Sequence, residues 1–248
     1  MKLETWTVGQ GSRTAALVHG ASKGADVWRD FARILADEYD LTVVLLDQRG
    51  HGRAPRALSY RVADFAGDLL DTLPVGLDFL IGQSLGGVAG AWASPKLQPK
   101  RYIGLDPAFA LNALSSISAL TLSALGPLQL RIAHWLARLP GVSVKGSAPD
   151  TLERVQLMLN DWDTSMMVPL VRSVRRDPFP VGPPAVPSTL LLAENSAVVS
   201  DKMARELRAA GWDVRVKPGA VHDLHLQDPR GVIAMLDDVL RGKRSEGA

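Results

Sequence analysis

Leu77-Asp78-Phe79-Leu80-Ile81-Gly82-Gln83-Ser84-Leu85-Gly86-Gly87-Val88-Ala89-Gly90-Ala91 is the stretch that decides how this chain is read. The apolar run at 77–81 has the composition of a buried strand, and the small residues after Ser84 suit the start of a closely packed helix. Between them stands a G-x-S-x-G. A strand, a tight turn and a helix in that order hold the central serine on strained backbone, so that its hydroxyl stands clear of the sheet. Gly82 and Gly86 remove side chains that would collide across the turn, and Gly87 lets the helix pack close. The helix N-terminus behind Ser84 favours developing negative charge. Ser84 is therefore the candidate nucleophile.

Outward from this motif, short apolar runs alternate with amphipathic segments. Residues 14–18 run into His19-Gly20, 41–46 into Asp47, and 101–105 into Asp106-Pro107. Segments 25–37, 59–73 and 84–94 between them read as helices. This alternation predicts an α/β fold with a mostly parallel central sheet flanked by helices, and ligands in such sheets bind just past the strand ends. Asp64, Asp68 and Asp71 fall at helical spacing and read as one solvated face rather than a metal site. From about 109 to 186 the pattern turns helix-like and rich in Leu and Ala, and it ends in Pro178, Pro180, Pro183, Pro184 and Pro187. Strands resume at 188–192 and 213–217, a final helix is expected over 229–240, and the polar tail after it reads as frayed. The predicted organisation is a core domain of residues 1–108 and 187–248, interrupted by a helical cap of residues 109–186. No internal repeat is visible.

Composition narrows the function. The chain has 248 residues, 46% hydrophobic and 22% charged, which suits a globular protein with a sizeable core. Twenty-eight Lys and Arg against 26 Asp and Glu leave a net charge of +2, too small to imply a nucleic-acid face. The absence of cysteine excludes a disulfide scaffold, a thiol nucleophile and any Cys-ligated metal site. It also agrees with a cytoplasmic location. The first residues lack the apolar core of a signal peptide. Residues 107–130 are uncharged, long enough to span a bilayer, but five Ser and Thr and the Gly126-Pro127 pair favour a helical lid over a membrane helix.

A serine hydroxyl needs a base, and histidine is the usual one near neutral pH. Five histidines are available. His19 and His51 sit in early strand-end loops and read as loop-shaping residues. His134 falls in the helical block and reads as a polar lid residue. His222 follows the last strand and a Pro218-Gly219 turn, a position from which an imidazole can reach Ser84. His225 is expected at the start of the last helix, on the surface or at the pocket rim.

His19-Gly20, the Asp47-to-Gly52 run, Gly82-to-Gly86 and Gly219-to-His222, taken in order, resemble the landmarks of the α/β-hydrolase superfamily, and the likeness covers nearly the whole chain. The resemblance implies the α/β-hydrolase fold, with its cap inserted after the sixth strand. It makes Ser84 the nucleophile and His222 the general base, and it assigns the oxyanion hole to the backbone N–H groups of Ala21 and Leu85. The third member is open. The usual acid position falls near Ser196, where no carboxylate stands. Asp106, at the end of the strand 101–105, and Glu194 are the two alternatives. Members such as haloalkane dehalogenases and the zearalenone lactonase place their acid at the former strand end.

The apolar residues of the insertion, among them Leu111, Leu114, Ile117, Trp135 and Met158, read mostly as lid core. Trp162, Met166 and Met167 are the first candidates to line a pocket for an apolar ligand. The resulting expectation is a serine hydrolase that needs neither cofactor nor metal and cleaves an ester, lactone or thioester of a hydrophobic small molecule through an acyl-enzyme. No nucleic-acid or membrane partner is expected, and a homodimer is compatible with the sequence. The same site also suits C–C bond hydrolysis, acyl transfer or cyclisation, and a capped pocket with an idle triad would make a ligand-binding module.

Overall fold

The structure is a computed structural model that describes residues 1–110 and 161–242. His134, the lid residues 111–158 named above and the tail from 243 lie outside the described residues. Seven strands form one sheet in the order β1-β3-β2-β4-β5-β6-β7. They are β1 (Thr5–Val8), β2 (Arg13–Val18), β3 (Leu41–Leu46), β4 (Phe79–Gln83), β5 (Arg101–Leu105), β6 (Ser188–Ala193) and β7 (Asp213–Lys217). Only β1 runs antiparallel, against β3, and the other pairs are parallel. The strand before the insertion is thus the fifth of seven here, one fewer than the superfamily count.

Period-two alternation sorts the strand side chains onto two apolar layers. Ala16, Val18, Leu80, Tyr102, Leu190 and Leu192 join one cluster. Ala15, Leu17, Phe79, Ile81, Ile103 and Leu191 join the other. The first layer is covered by α2 (Val62–Thr72), α3 (Ser84–Leu97), α4 (Met167–Arg176) and α5 (Asp201–Ala209). The second is covered by α1 (Arg29–Tyr39), α6 (Leu224–Gln227), α7 (Pro229–Ala234) and α8 (Asp237–Arg241). Among the described residues no helix is long and apolar enough to cross a membrane.

Four local differences from the sequence reading have physical causes. Strand β1 was not anticipated, because as an edge strand it alternates exposed with half-buried residues and never becomes apolar. Strand β4 starts two residues later than the apolar run and carries the ladder through Gln83 to the doorstep of Ser84. The last helix is broken in two: α7 ends at Ala234 and α8 starts at Asp237. Asp68 does not share a solvated face with Asp64 and Asp71. It is buried, and its two carboxylate oxygens accept from Arg49 Nε and Nη2, each at 2.6 Å. Such a bidentate, charge-assisted partner offsets the desolvation of the carboxylate.

The sheet directs every loop of interest to one edge. In the ladder Gln83 pairs with Leu105 and Val18 with Gly82, so the chain leaves β2, β4 and β5 side by side. Ser84 and Asp106 are therefore register neighbours past the carboxyl ends of adjacent strands.

Candidate active site

Ser84 is the first residue of α3 and has φ of 51°, in the left-handed region that a serine adopts only under constraint. The constraint is close packing. A Cβ on Gly86 would lie 2.3 Å from the Val18 carbonyl oxygen and 2.5 Å from that of His19, so the helix can start here only without a side chain. Asp106, at the end of β5, also has positive φ, 43°.

These turns bring three side chains into line. His222 Nε2 lies 2.9 Å from Ser84 Oγ, and His222 Nδ1 lies 2.6 Å from Asp106 Oδ2. The Asp106 carboxylate has no solvent exposure, whereas the imidazole of His222 is 40% exposed. The second oxygen of Asp106 accepts from the Ala193 N–H at 3.3 Å. Glu194, the other carboxylate considered, is exposed and accepts from the Gly219 N–H at 3.1 Å, so it braces the loop before His222. Ser196 stands where the acid was sought by spacing, and its hydroxyl accepts instead from the N–H groups of Val198 and Val199.

The loop after β2 lies directly on this turn. A Cβ on Gly20 would fall 2.2 Å from Gln83 Oε1 and 3.2 Å from Ser84 Cβ, which leaves glycine as the residue that fits. Two buried histidines shape the loop. His19 Nε2 accepts from the Gln48 N–H at 3.0 Å, which leaves its proton on Nδ1 to donate to the Gly20 carbonyl at 2.8 Å. In a trans peptide the C=O and the following N–H point in opposite directions, so pinning the Gly20 oxygen turns the Ala21 N–H away from His19. His51 Nε2 then accepts from the Ser22 N–H at 3.1 Å, and its Nδ1 donates to the Arg49 carbonyl at 3.0 Å. Burial lowers the pKa of His19 to about 4 and that of His51 to about 3, so both rings are neutral near pH 7. Leu85, in the first turn of α3, has an N–H that cannot find a partner within its own helix.

The chain returning from the insertion leans on the same loop. Trp162 forms an isolated antiparallel bridge with His51, flanked by Gly52 N–H to the Asp161 carbonyl at 2.8 Å and Asp163 N–H to the Gly50 carbonyl at 2.6 Å. The Trp162 and His51 rings stack with centroids 6.3 Å apart. Met166 is fully buried among Leu170 and Val174, so it packs the core rather than lining an open cleft, while Met167 is half-buried beside it.

His225 also departs from the sequence reading. It is neither at the surface nor at a rim but buried, with its ring centroid 4.2 Å from that of Trp28 and no hydrogen-bond partner on either nitrogen. Burial lowers its pKa to about 3. Sequence reasoning missed Lys23, Gln83 and Asp223, which join the same loops. Their only signal was position: each stands within two residues of a singled-out site residue. Among the described residues no cluster of His, Asp and Glu has the form of a metal site.

Comparison with known proteins gives the setting of this geometry. The model of the Alpha/beta hydrolase family matches residues 16–235. A hydrolase from Oleispira antarctica superposes with a TM-score of 0.79 at 15% identity, covering 98% of this chain and 96% of that one. A thermophilic esterase from Thermogutta terrifontis gives a TM-score of 0.71 at 18% identity, covering 97% and 93%. The enol-lactonase from Burkholderia xenovorans LB400 gives 0.75 at 17% identity, covering 96% of each chain. At these identities the structures speak for the fold, and the family match extends over most of the sequence. The chain belongs to the alpha/beta hydrolase family.

Proposed function

We propose that the protein is a serine hydrolase that cleaves an ester, lactone or thioester bond of a hydrophobic small molecule through an acyl-enzyme. The observation that carries this reading is the unbroken hydrogen-bonded line from Ser84 Oγ through His222 to the buried Asp106 carboxylate. Ser84 Oγ attacks the carbonyl carbon while His222 Nε2 takes its proton. Asp106 holds the imidazole with its proton on Nδ1 and offsets the charge of the imidazolium. The negative charge arriving on the carbonyl oxygen is met by the N–H groups of Leu85 and Ala21. Collapse of the tetrahedral intermediate breaks the bond to the leaving group, which departs with the proton from His222. Water then enters, gives a proton to His222 and attacks the acyl carbon, releasing the acid and restoring the Ser84 hydroxyl.

Residues 109–186 act as the cap over this site in the same reading, with Trp162 and Met167 nearest its return to the core. Met166 supports them from within the apolar cluster. The esterase and the lactonase that share the fold support a carboxylic ester or lactone substrate. A ligand-binding module with an idle triad is disfavoured, because each member already stands at hydrogen-bonding distance. The test is a panel of p-nitrophenyl esters of increasing chain length with lactones alongside. Turnover that is lost in Ser84→Ala and is greatest for an apolar acyl group is the expected result. A panel without Ser84-dependent turnover refutes the reading.

A further inference from the structure

Three loops converge on Ser84, and a buried group of polar side chains joins them. Lys23, two residues after Ala21, places Nζ 3.1 Å from Asp223 Oδ1, and Asp223 directly follows His222. Their side chains are only 11% and 4% exposed. Gln83, the residue before Ser84, donates from Nε2 to the His222 carbonyl at 3.1 Å and to the same Asp223 oxygen at 3.3 Å. One carboxylate oxygen thus receives a donor from the loop after β2 and another from the turn that carries Ser84.

A buried ion pair is poor value as a source of stability, because desolvating both charges offsets most of their attraction. Its effect is geometric: each charge has one favourable position, set by the other. The surroundings sharpen this, since both nitrogens of the neighbouring His225 and Trp28 Nε1 have no hydrogen-bond partner and apolar residues fill the rest of that layer. Burial opposes the charge on Asp223, yet the ammonium of Lys23 beside it holds its carboxyl below the ordinary range, so Asp223 stays ionised.

We infer that Lys23 and Asp223 are a positioning pair that fixes the loop bearing the Ala21 N–H relative to the loop bearing His222. The catalytic consequence rests on the serine-hydrolase reading above. The base and one proposed oxyanion donor come from opposite ends of the chain, and no strand pairing joins β2 to β7. The ion pair supplies that link, and errors of about 1 Å in such geometry cost about a hundredfold in rate.

The test combines hydrogen–deuterium exchange with kinetics. Lys23→Met is expected to speed exchange at residues 220–224 as well as at 20–24, and Asp223→Asn to speed exchange at 20–24, each about fivefold or more. In ester hydrolysis Lys23→Met lowers kcat about tenfold or more with KM within about twofold, and Lys23→Arg, which keeps the charge and folds with the pair intact, recovers most of kcat. The double substitution Lys23→Met/Asp223→Asn leaves no unpaired buried charge and is expected to be no worse than the worse single variant. The inference is overturned if each single variant loosens only its own segment, or if the losses multiply in the double variant. A wild type without Ser84-dependent turnover would refute the hydrolase reading, and the exchange data alone would then decide whether the two loops are coupled.

Discussion

His222 Nδ1 lies 2.6 Å from the carboxylate of Asp106, which stands 116 residues earlier in the chain and has no solvent exposure. In the proposed mechanism the acid therefore comes from the end of β5, next to the strand that carries Ser84, and not from the end of β6. Asp106→Asn keeps the shape but removes the acceptor that holds the imidazole proton on Nδ1. It is expected to slow acyl-enzyme formation about a thousandfold or more. Glu194→Gln, which retains an acceptor for the Gly219 N–H, is expected to stay within about twofold. Pre-steady-state burst rates with a p-nitrophenyl ester distinguish the two, and equal effects would contradict the assignment.

His51 is expected to act through the backbone of the loop after β2. Its Nε2 holds the Ser22 N–H, next to the Ala21 N–H proposed to meet the oxyanion. His51→Leu leaves that N–H without an acceptor and lowers kcat about tenfold or more, short of the 100- to 1,000-fold or so lost when an oxyanion donor is removed outright. His51→Gln, whose amide oxygen can accept, is expected to retain most of the activity. Equal kcat for the Leu and Gln variants would show that the hydrogen bond does not matter.

Stability should fall on mild acidification. The pKa values of His19, His51 and His225 lie at about 4, 3 and 3 in the folded protein, below the ordinary 6.5, because burial disfavours the charged ring. The unfolded chain takes up protons below pH 6.5 that the folded chain refuses until about pH 4, so folding is favoured above 6.5 and weakened as the pH drops through that window. Each ring accounts for about 1.4 kcal/mol between about pH 7.5 and about pH 5.5, or about 4 kcal/mol for the three. Urea unfolding at the two pH values measures this, and His225→Phe should remove about a third of the difference. A pH-independent midpoint would mean that these rings are not buried and neutral.

Much of this architecture was legible before any coordinates. Five of the seven strands announced themselves as apolar runs, since a strand covered on both faces has few polar positions to break the pattern, and β7 at the far edge showed only as an alternation of valines with charged residues. Strand β1 was hidden because half of it faces water. The G-x-S-x-G marked Ser84, and chain order marked His222. The acid could not be chosen, because Asp106 and Glu194 both follow strand ends and only the register that sets Gln83 beside Leu105 separates them. Asp68 and His225 misled for one shared reason: a polar side chain at helical spacing looks solvated unless its partner is known, and Arg49 and Trp28 lie far away in sequence. Lys23 and Asp223 carried no motif at all, since an ion pair between distant loops leaves no local pattern.

The proposed chemistry requires that Ser84 Oγ becomes covalently acylated with His222 as its base. Intact-protein mass spectrometry after brief reaction with a fluorophosphonate tests it most directly, with peptide mapping of the adduct. One stoichiometric adduct on Ser84 is expected, absent in Ser84→Ala and strongly slowed in His222→Ala. No adduct on the wild-type protein, or an adduct on another residue that persists in Ser84→Ala, would contradict it.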